Sequence, residues 1–127
     1  MTQSMELNEL SYKIIGCVNK VHSELGPGLL ESTYEVCLEY ELLKAGLDVD
    51  RQKPLPVIYD SIKLDAGYRI ALLVNNQVIL EIKSVDEIAP IHKAQLMTYL
   101  KLTGLKLGLL LNFNVLQMKT GIKRIIM

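Results

Sequence analysis

Residues 77–83, Gln-Val-Ile-Leu-Glu-Ile-Lys, constrain the fold of this chain more than any other segment, because two charged residues end an apolar run. A run of this kind is typical of a strand inside a sheet, where side chains alternate between two faces. Glu81 and Lys83 then share one face, and the apolar residues beside them lie on the other. The pair indicates either a site that binds a divalent cation and a phosphate, or an ordinary ion pair on a solvated sheet face.

The residues before this strand predict a β-hairpin. Residues 64–74 are predicted to form a second strand, and the two asparagines that follow it are turn formers that tolerate positive φ. A two-residue turn would place Ile70 opposite Glu81, whereas a three-residue turn at residues 75–77 places Ala71 there. We expect the three-residue turn, because it puts Ile70 on one consistently apolar face of the hairpin. The face with the charges then carries a methyl group opposite Glu81.

The remaining segments predict a single α/β domain over residues 1–127. Apolar residues recur at helical spacing near the N-terminus, and glycine or proline marks the boundaries of each helix. Two prolines in residues 51–60 favour an edge strand, since proline cannot donate to a central ladder. The expected order is helix, helix, three strands, helix, strand, strand, which is typical of a mixed sheet flanked by helices. The predicted helices cover residues 7–25, 29–45 and 90–103, and the strands cover residues 51–60, 64–74, 77–84, 106–112 and 120–127.

Composition sets wide limits on the class of protein. Half of the residues are apolar, which is enough for one core, but no run approaches the ~20 apolar residues of a membrane span. The N-terminus has no signal-peptide pattern, so we expect a soluble, cytoplasmic protein that does not contact a membrane. Cys17 and Cys37 lack metal-ligand spacing and are expected to be reduced thiols on helices.

The zero net charge conceals an uneven distribution. All fourteen acidic residues lie within residues 1–87, whereas residues 88–127 contain six of the fourteen basic residues and no acid. We predict that Lys119, Lys123 and Arg124 contribute a nucleic-acid-binding surface. The alternative is that these are dispersed charges that only keep the surface solvated.

Several motifs together resemble one protein family. Residues 28–34, Gly-Leu-Leu-Glu-Ser-Thr-Tyr, resemble the signature of the GxxExxY proteins, a branch of the PD-(D/E)XK nuclease superfamily. The resemblance extends over nearly the whole chain. Its other motifs are residues 67–69 (Gly-Tyr-Arg), 72–74 (Leu-Leu-Val), 81–84 (Glu-Ile-Lys-Ser) and 94–99 (Ala-Gln-Leu-Met-Thr-Tyr).

This resemblance implies a restriction-endonuclease-like αβββαβ core, with one extra helix at the N-terminus. In the family, a helical Glu, a strand Asp and the Glu-x-Lys pair surround one or two Mg²⁺ (or Mn²⁺) ions at a phosphodiester. Glu31 matches the helical metal ligand, Glu81 matches a metal ligand with a catalytic role, and Lys83 matches the catalytic lysine. The strand Asp falls at position 71, where this chain has Ala71.

The resemblance also covers the helix after the Glu-x-Lys strand. Gln95 and Tyr99 match the Gln-x-x-x-Tyr motif of RecB-like nucleases, which implies a catalytic role. From spacing alone they fit equally well as a polar seam at the edge of a core. Glu31 has a similar alternative, because an acid near a helix start complements the helix dipole.

The sequence thus predicts a magnesium-dependent nuclease domain acting on nucleic acid, with DNA expected rather than RNA. Ala71 removes one metal ligand, so we expect metal binding to be weakened and activity to be lost or reduced. The alternative is a non-catalytic nucleic-acid-binding or protein-interaction domain that retains the nuclease fold. A homodimer is left open.

Overall fold

The structure, a computed structural model, describes residues 5–127. This part of the chain contains three α-helices, a five-stranded sheet and a separate two-stranded sheet. The elements are α1 (Leu7–Leu25), α2 (Glu31–Lys44), β1 (Val49–Pro54), β2 (Val57–Tyr59), β3 (Ile62–Leu64), β4 (Arg69–Val74), β5 (Val78–Lys83), α3 (Pro90–Thr103), β6 (Leu107–Asn112), a 3-10 helix (Met118–Gly121) and β7 (Ile122–Ile126).

The main sheet has the strand order β1-β4-β5-β6-β7. Strands β5 and β6 are parallel, and the other neighbours are antiparallel, so the sheet is mixed. A parallel pair needs a crossover, which α3 provides between β5 and β6. The predicted order of helices and sheet strands is therefore confirmed. Within residues 5–127, no helix is both long and apolar enough to cross a membrane.

Helices cover both faces of the sheet. On one face, Ile14 of α1 and Leu38 of α2 are buried in the same apolar cluster as Leu80 of β5. On the other face, Leu96 of α3 is buried in a second cluster with Ile79. The two layers explain why β5 is apolar on both faces over most of its length.

The β4–β5 hairpin has the predicted register. Val74 pairs with Val78 and Leu72 pairs with Leu80, which leaves a three-residue turn at residues 75–77. The turn is closed by the N–H of Gln77, which donates to the carbonyl of Val74 at 2.9 Å.

One expectation about this hairpin was wrong. Ile70 packs in the α3-side cluster, and Ala71 and Leu72 both belong to the α1/α2-side cluster, so alternation along β4 breaks at Ala71. The regular β4–β5 pairing ends at Leu72 and Leu80, and this end of the ladder coincides with the break.

The predicted strand over residues 51–60 was also wrong in extent. The chain leaves the sheet after β1, where the N–H of Leu55 donates to the carbonyl of Tyr68, and then forms the antiparallel hairpin of β2 and β3. The strand predicted from residue 64 begins only at Arg69 for the same reason. We call residues 57–64 the β2–β3 arm.

Candidate functional site

The candidate site lies where β4 and β5 stop pairing. Beyond Leu72 and Leu80, the N–H of Ala71 donates a 3.0 Å hydrogen bond to Oε2 of Glu81. In a regular antiparallel ladder this N–H would meet a backbone carbonyl. This contact confirms the prediction that Ala71 and Glu81 are neighbours across the two strands. The prediction that they share one sheet face is not confirmed, because Ala71 packs in the α1/α2-side cluster whereas Leu110, the β6 partner of Glu81, packs in the α3-side cluster.

Glu81 is a buried acid with a perturbed proton affinity. Glu81 is only 7% exposed, and this burial raises the pKa of its carboxyl group to about 7. The Ala71 N–H and the Lys83 ammonium act in the opposite direction, while Glu31 and Glu35 raise the pKa further. Near neutral pH, Glu81 can therefore either hold or release a proton, a property typical of functional sites.

A short contact brings the start of α2 to the end of β5. The hydroxyl of Ser84, next to Lys83, donates to the carbonyl of Leu29 at 2.6 Å. Glu31 follows as the first residue of α2 and is exposed. The structure thus brings Glu31 to the end of the sheet that carries Lys83, and its charge contributes to the raised pKa of Glu81.

Tyr34 explains the spacing of the glycine-rich motif. Its buried hydroxyl accepts from the N–H of Leu29 at 3.1 Å and donates to the carbonyl of Gly26 at 2.6 Å. The Tyr34 ring stacks on Phe113 with centroids 4.6 Å apart. Gly28 adopts φ +95°, a region that favours glycine. Together these contacts fix the loop from which Glu31 enters the site.

Glu35 is a site residue that the sequence analysis missed. It lies one helical turn after Glu31 and is only 7% exposed. The side-chain amide of Gln52 donates to both Glu35 carboxylate oxygens, at 2.9 and 3.0 Å, and the Arg51 guanidinium lies 3.6 Å from Oε2. The i, i+4 spacing from Glu31 was the available signal, but such acids are also common on solvated helix faces.

The other two predicted site residues, Tyr99 and Gln95, lie on α3. Tyr99 is buried, and its pKa is raised by burial first and then by Glu81 and Tyr68. The Tyr99 hydroxyl therefore lies within the electrostatic reach of the Glu81 carboxylate. Gln95 is half-buried one turn earlier, and no hydrogen bond in the described residues joins it to Glu81.

The three predicted nucleic-acid-binding residues do not form one continuous surface. Lys123 of β7 pairs with Leu110 of β6, which in turn pairs with Glu81 of β5. Lys123 and Glu81 therefore lie on the same face of the sheet, two strands apart. Arg124 follows it on the opposite face of β7, where the guanidinium donates to Ser11 and Asn8 of α1, each at 3.1 Å. Lys119 is exposed on the 3-10 helix. Their role in binding stays a prediction.

The side chains at this site do not complete a metal centre. Within residues 5–127, no three carboxylate, imidazole or thiol side chains converge closely enough to hold a metal ion. Glu35 is engaged by Gln52, one oxygen of Glu81 is engaged by Ala71, and position 71 offers a methyl group. Magnesium is usually bound through one or two carboxylates together with waters and substrate oxygens, so Glu31 and the second oxygen of Glu81 are the carboxylate donors left for it, and position 71 contributes none.

Comparison with known proteins identifies the family. Searches of curated proteins and of solved structures gave no match. A family model described as the PD-(D/E)XK nuclease superfamily matches residues 8–125, which include the helices and strands around the site. The mixed five-stranded sheet with its flanking helices agrees with the restriction-endonuclease-like fold of that superfamily and adds α1 as an N-terminal helix. This chain therefore belongs to the PD-(D/E)XK nuclease superfamily.

Proposed function

We propose that this chain is a nuclease-type domain that binds nucleic acid but hydrolyses phosphodiester bonds slowly or not at all. The observation that carries the proposal is the Ala71–Glu81 contact, in which the Glu81 carboxylate accepts from a backbone N–H and the neighbouring residue offers no second carboxylate. Nucleases of this superfamily typically use divalent metals. We infer that Ala71 replaces the metal-binding Asp of the family and weakens binding of Mg²⁺ or Mn²⁺.

The residues that remain are suited to binding a phosphodiester. Lys83 is half-buried at the end of β5 and offers three N–H donors to phosphate oxygens. Its ammonium lowers the pKa of Glu81, so the two side chains interact electrostatically. An ammonium beside an acid that is only partly ionised near neutral pH can attract a phosphate.

Restoring a carboxylate at position 71 tests this proposal. Ala71→Asp should bind Mn²⁺ or Mg²⁺, seen as a rise in melting temperature over the same variant in chelator, because a ligand of the native state stabilises it. It should also cleave at least one of single- and double-stranded DNA and RNA, and the same assay decides between DNA and RNA. Ala71→Asn is the matched control, since the Asn side chain has nearly the same size as that of Asp but carries no charge.

A second variant separates catalysis from metal binding. Ala71→Asp with Lys83→Ala should still gain stability from Mn²⁺ but should not cleave. If Ala71→Asp neither binds metal nor cleaves, the nuclease interpretation of this pocket is wrong.

The alternative function is a non-catalytic nucleic-acid-binding or protein-interaction domain on the same fold. It is favoured by the contacts of Glu35. The Glu35 carboxylate forms an ion pair with Arg51 and accepts hydrogen bonds from Gln52, so it is not free to bind a metal ion. Under this alternative, Ala71→Asp binds nucleic acid as the parent does and gains no cleavage in any metal.

A further inference from the structure

The β2–β3 arm carries large apolar side chains that the rest of the domain does not cover. Tyr59 is 72% exposed and pairs with Ile62, which is 54% exposed, so the two share one face of the arm. Val57 and Leu64 pair next to them on the same face, and Leu64 is also exposed. An isolated two-stranded hairpin is only marginally stable in water, so exposed apolar side chains on the arm indicate a surface that contacts a ligand or partner.

The arm lies beside the Glu81 site. It connects β1 to β4, and the last pair of those strands, Pro54 with Arg69, lies at the end of the sheet where β4 and β5 separate. Tyr68, at the base of the arm, contributes to the raised pKa of Tyr99, as does Glu81. The base of the arm and the Glu81 carboxylate therefore both lie within electrostatic reach of Tyr99.

The charges near the arm favour unpaired bases over a duplex backbone. Lys63 and Arg69 are exposed, but Asp60 and Asp65 lie close in sequence and offset them. Duplex recognition without base contacts depends on many cations at phosphates, which the arm does not provide. Single strands are bound largely by bases that stack on aromatic side chains, with a few cations along the backbone, and apolar side chains can also wedge between bases.

We propose that the β2–β3 arm binds unpaired bases of single-stranded nucleic acid, which stack on Tyr59 and contact Ile62 while the adjoining phosphodiester reaches the Glu81 site. This inference rests on the proposed function, since it assigns the same site a single-stranded substrate. Both DNA and RNA present unpaired bases, and the experiment separates them.

Fluorescence anisotropy of labelled oligonucleotides tests the arm. The parent should bind single-stranded DNA or RNA more tightly than a blunt DNA duplex. Tyr59→Ala and Ile62→Ser should each weaken single-strand binding, with Tyr59→Ala costing about tenfold in Kd, whereas Tyr59→Phe should bind like the parent because the ring is retained. Tyr12→Ala is the matched control, because Tyr12 is 82% exposed on α1, outside the arm.

The outcomes separate this inference from the proposed function. If Tyr59→Ala binds like Tyr12→Ala, the arm is not a binding element, while nucleic-acid binding by the parent still supports the proposed function. A parent that binds none of these oligonucleotides overturns both. If light scattering shows that the arm variants change the oligomeric state while affinity stays constant, the arm is a protein contact and the inference is wrong. Far-UV circular dichroism of each variant checks that the domain remains folded.

Discussion

The N–H of Ala71 and the carboxylate of Glu81 form a 3.0 Å hydrogen bond between two strands that have just stopped pairing. The Glu81 carboxylate therefore takes the place of a backbone carbonyl as the acceptor for this N–H, just beyond the last regular pair of β4 and β5. Ala71 also packs in the α1/α2-side cluster, as Leu72 does, so the alternation of β4 breaks at the same residue that donates to the acid.

Glu81 should make the stability of the domain depend on pH. Its pKa is about 7 in the folded protein against 4.5 ordinarily, so the folded state holds the proton more tightly than the unfolded state. The free energy of unfolding should therefore fall as pH rises from about 4.5 to 7, by at most roughly 3 kcal/mol, and then level off. Urea unfolding at several pH values between 4 and 8 measures this.

The matched variant for that prediction is Glu81→Gln, which keeps an acceptor for the Ala71 N–H but cannot ionise. It should lack this part of the pH dependence and be more stable than the parent at pH 8. Glu87→Gln, at an exposed acid, should follow the parent profile. Parallel profiles for the parent and Glu81→Gln would show that Glu81 is not the titrating group.

Gln52 should stabilise the domain through its contact with Glu35, despite an unfavourable backbone. Its amide donates to both carboxylate oxygens, and its φ is 55°. Gln52→Ala removes the donor and keeps the strained φ, so it should cost about 2 kcal/mol in the free energy of unfolding. Gln52→Gly removes the same donor but relieves the strain, and should therefore be more stable than Gln52→Ala in urea unfolding. The opposite order would mean that the backbone at this position is not strained.

The fold was largely predictable because it depends on patterns within each segment. The matching of Leu72 with Leu80 was sufficient to fix the register of the β4–β5 hairpin, and with it the position of Ala71 opposite Glu81. The face of Ile70 was not predictable from that pairing, because the alternation of β4 breaks at Ala71, beyond the last regular pair of the hairpin.

The remaining errors have the same origin in contacts between distant segments. The two prolines near residue 55 correctly excluded a central strand, but they did not indicate that the chain would leave the sheet and fold on itself through a turn at Asp60, where φ is 54°. Glu35 resembled an ordinary helix acid, because its partner Gln52 lies in a separate strand and reaches it from an unusual backbone conformation.

Tyr34→Phe should loosen the loop that precedes α2. The ring and its stacking on Phe113 remain, but the hydroxyl contacts with Leu29 and Gly26 are lost. We expect a loss of about 1 to 2 kcal/mol in the free energy of unfolding. Hydrogen exchange of the Leu29 amide should also become faster than in the parent, whereas that of Val78 in β5 should change only as far as the global stability does. An unchanged Leu29 exchange rate would show that Tyr34 does not hold the loop.

Lys123 and Arg124 should behave differently, although they are adjacent and carry the same charge. Lys123 is exposed on the same face of the sheet as Glu81. Lys123→Ala should therefore leave the melting temperature unchanged. For a bound oligonucleotide, it should reduce the slope of log Kd against log salt by about 1. Arg124 donates to Ser11 and Asn8 of α1, so Arg124→Ala should lower the free energy of unfolding by about 1 kcal/mol. Because that guanidinium is directed to α1, the salt slope should change less than in Lys123→Ala. If Arg124→Ala instead reduces the slope and leaves stability intact, the guanidinium is free to contact phosphates, and the basic residues of β7 act together on both faces of the strand.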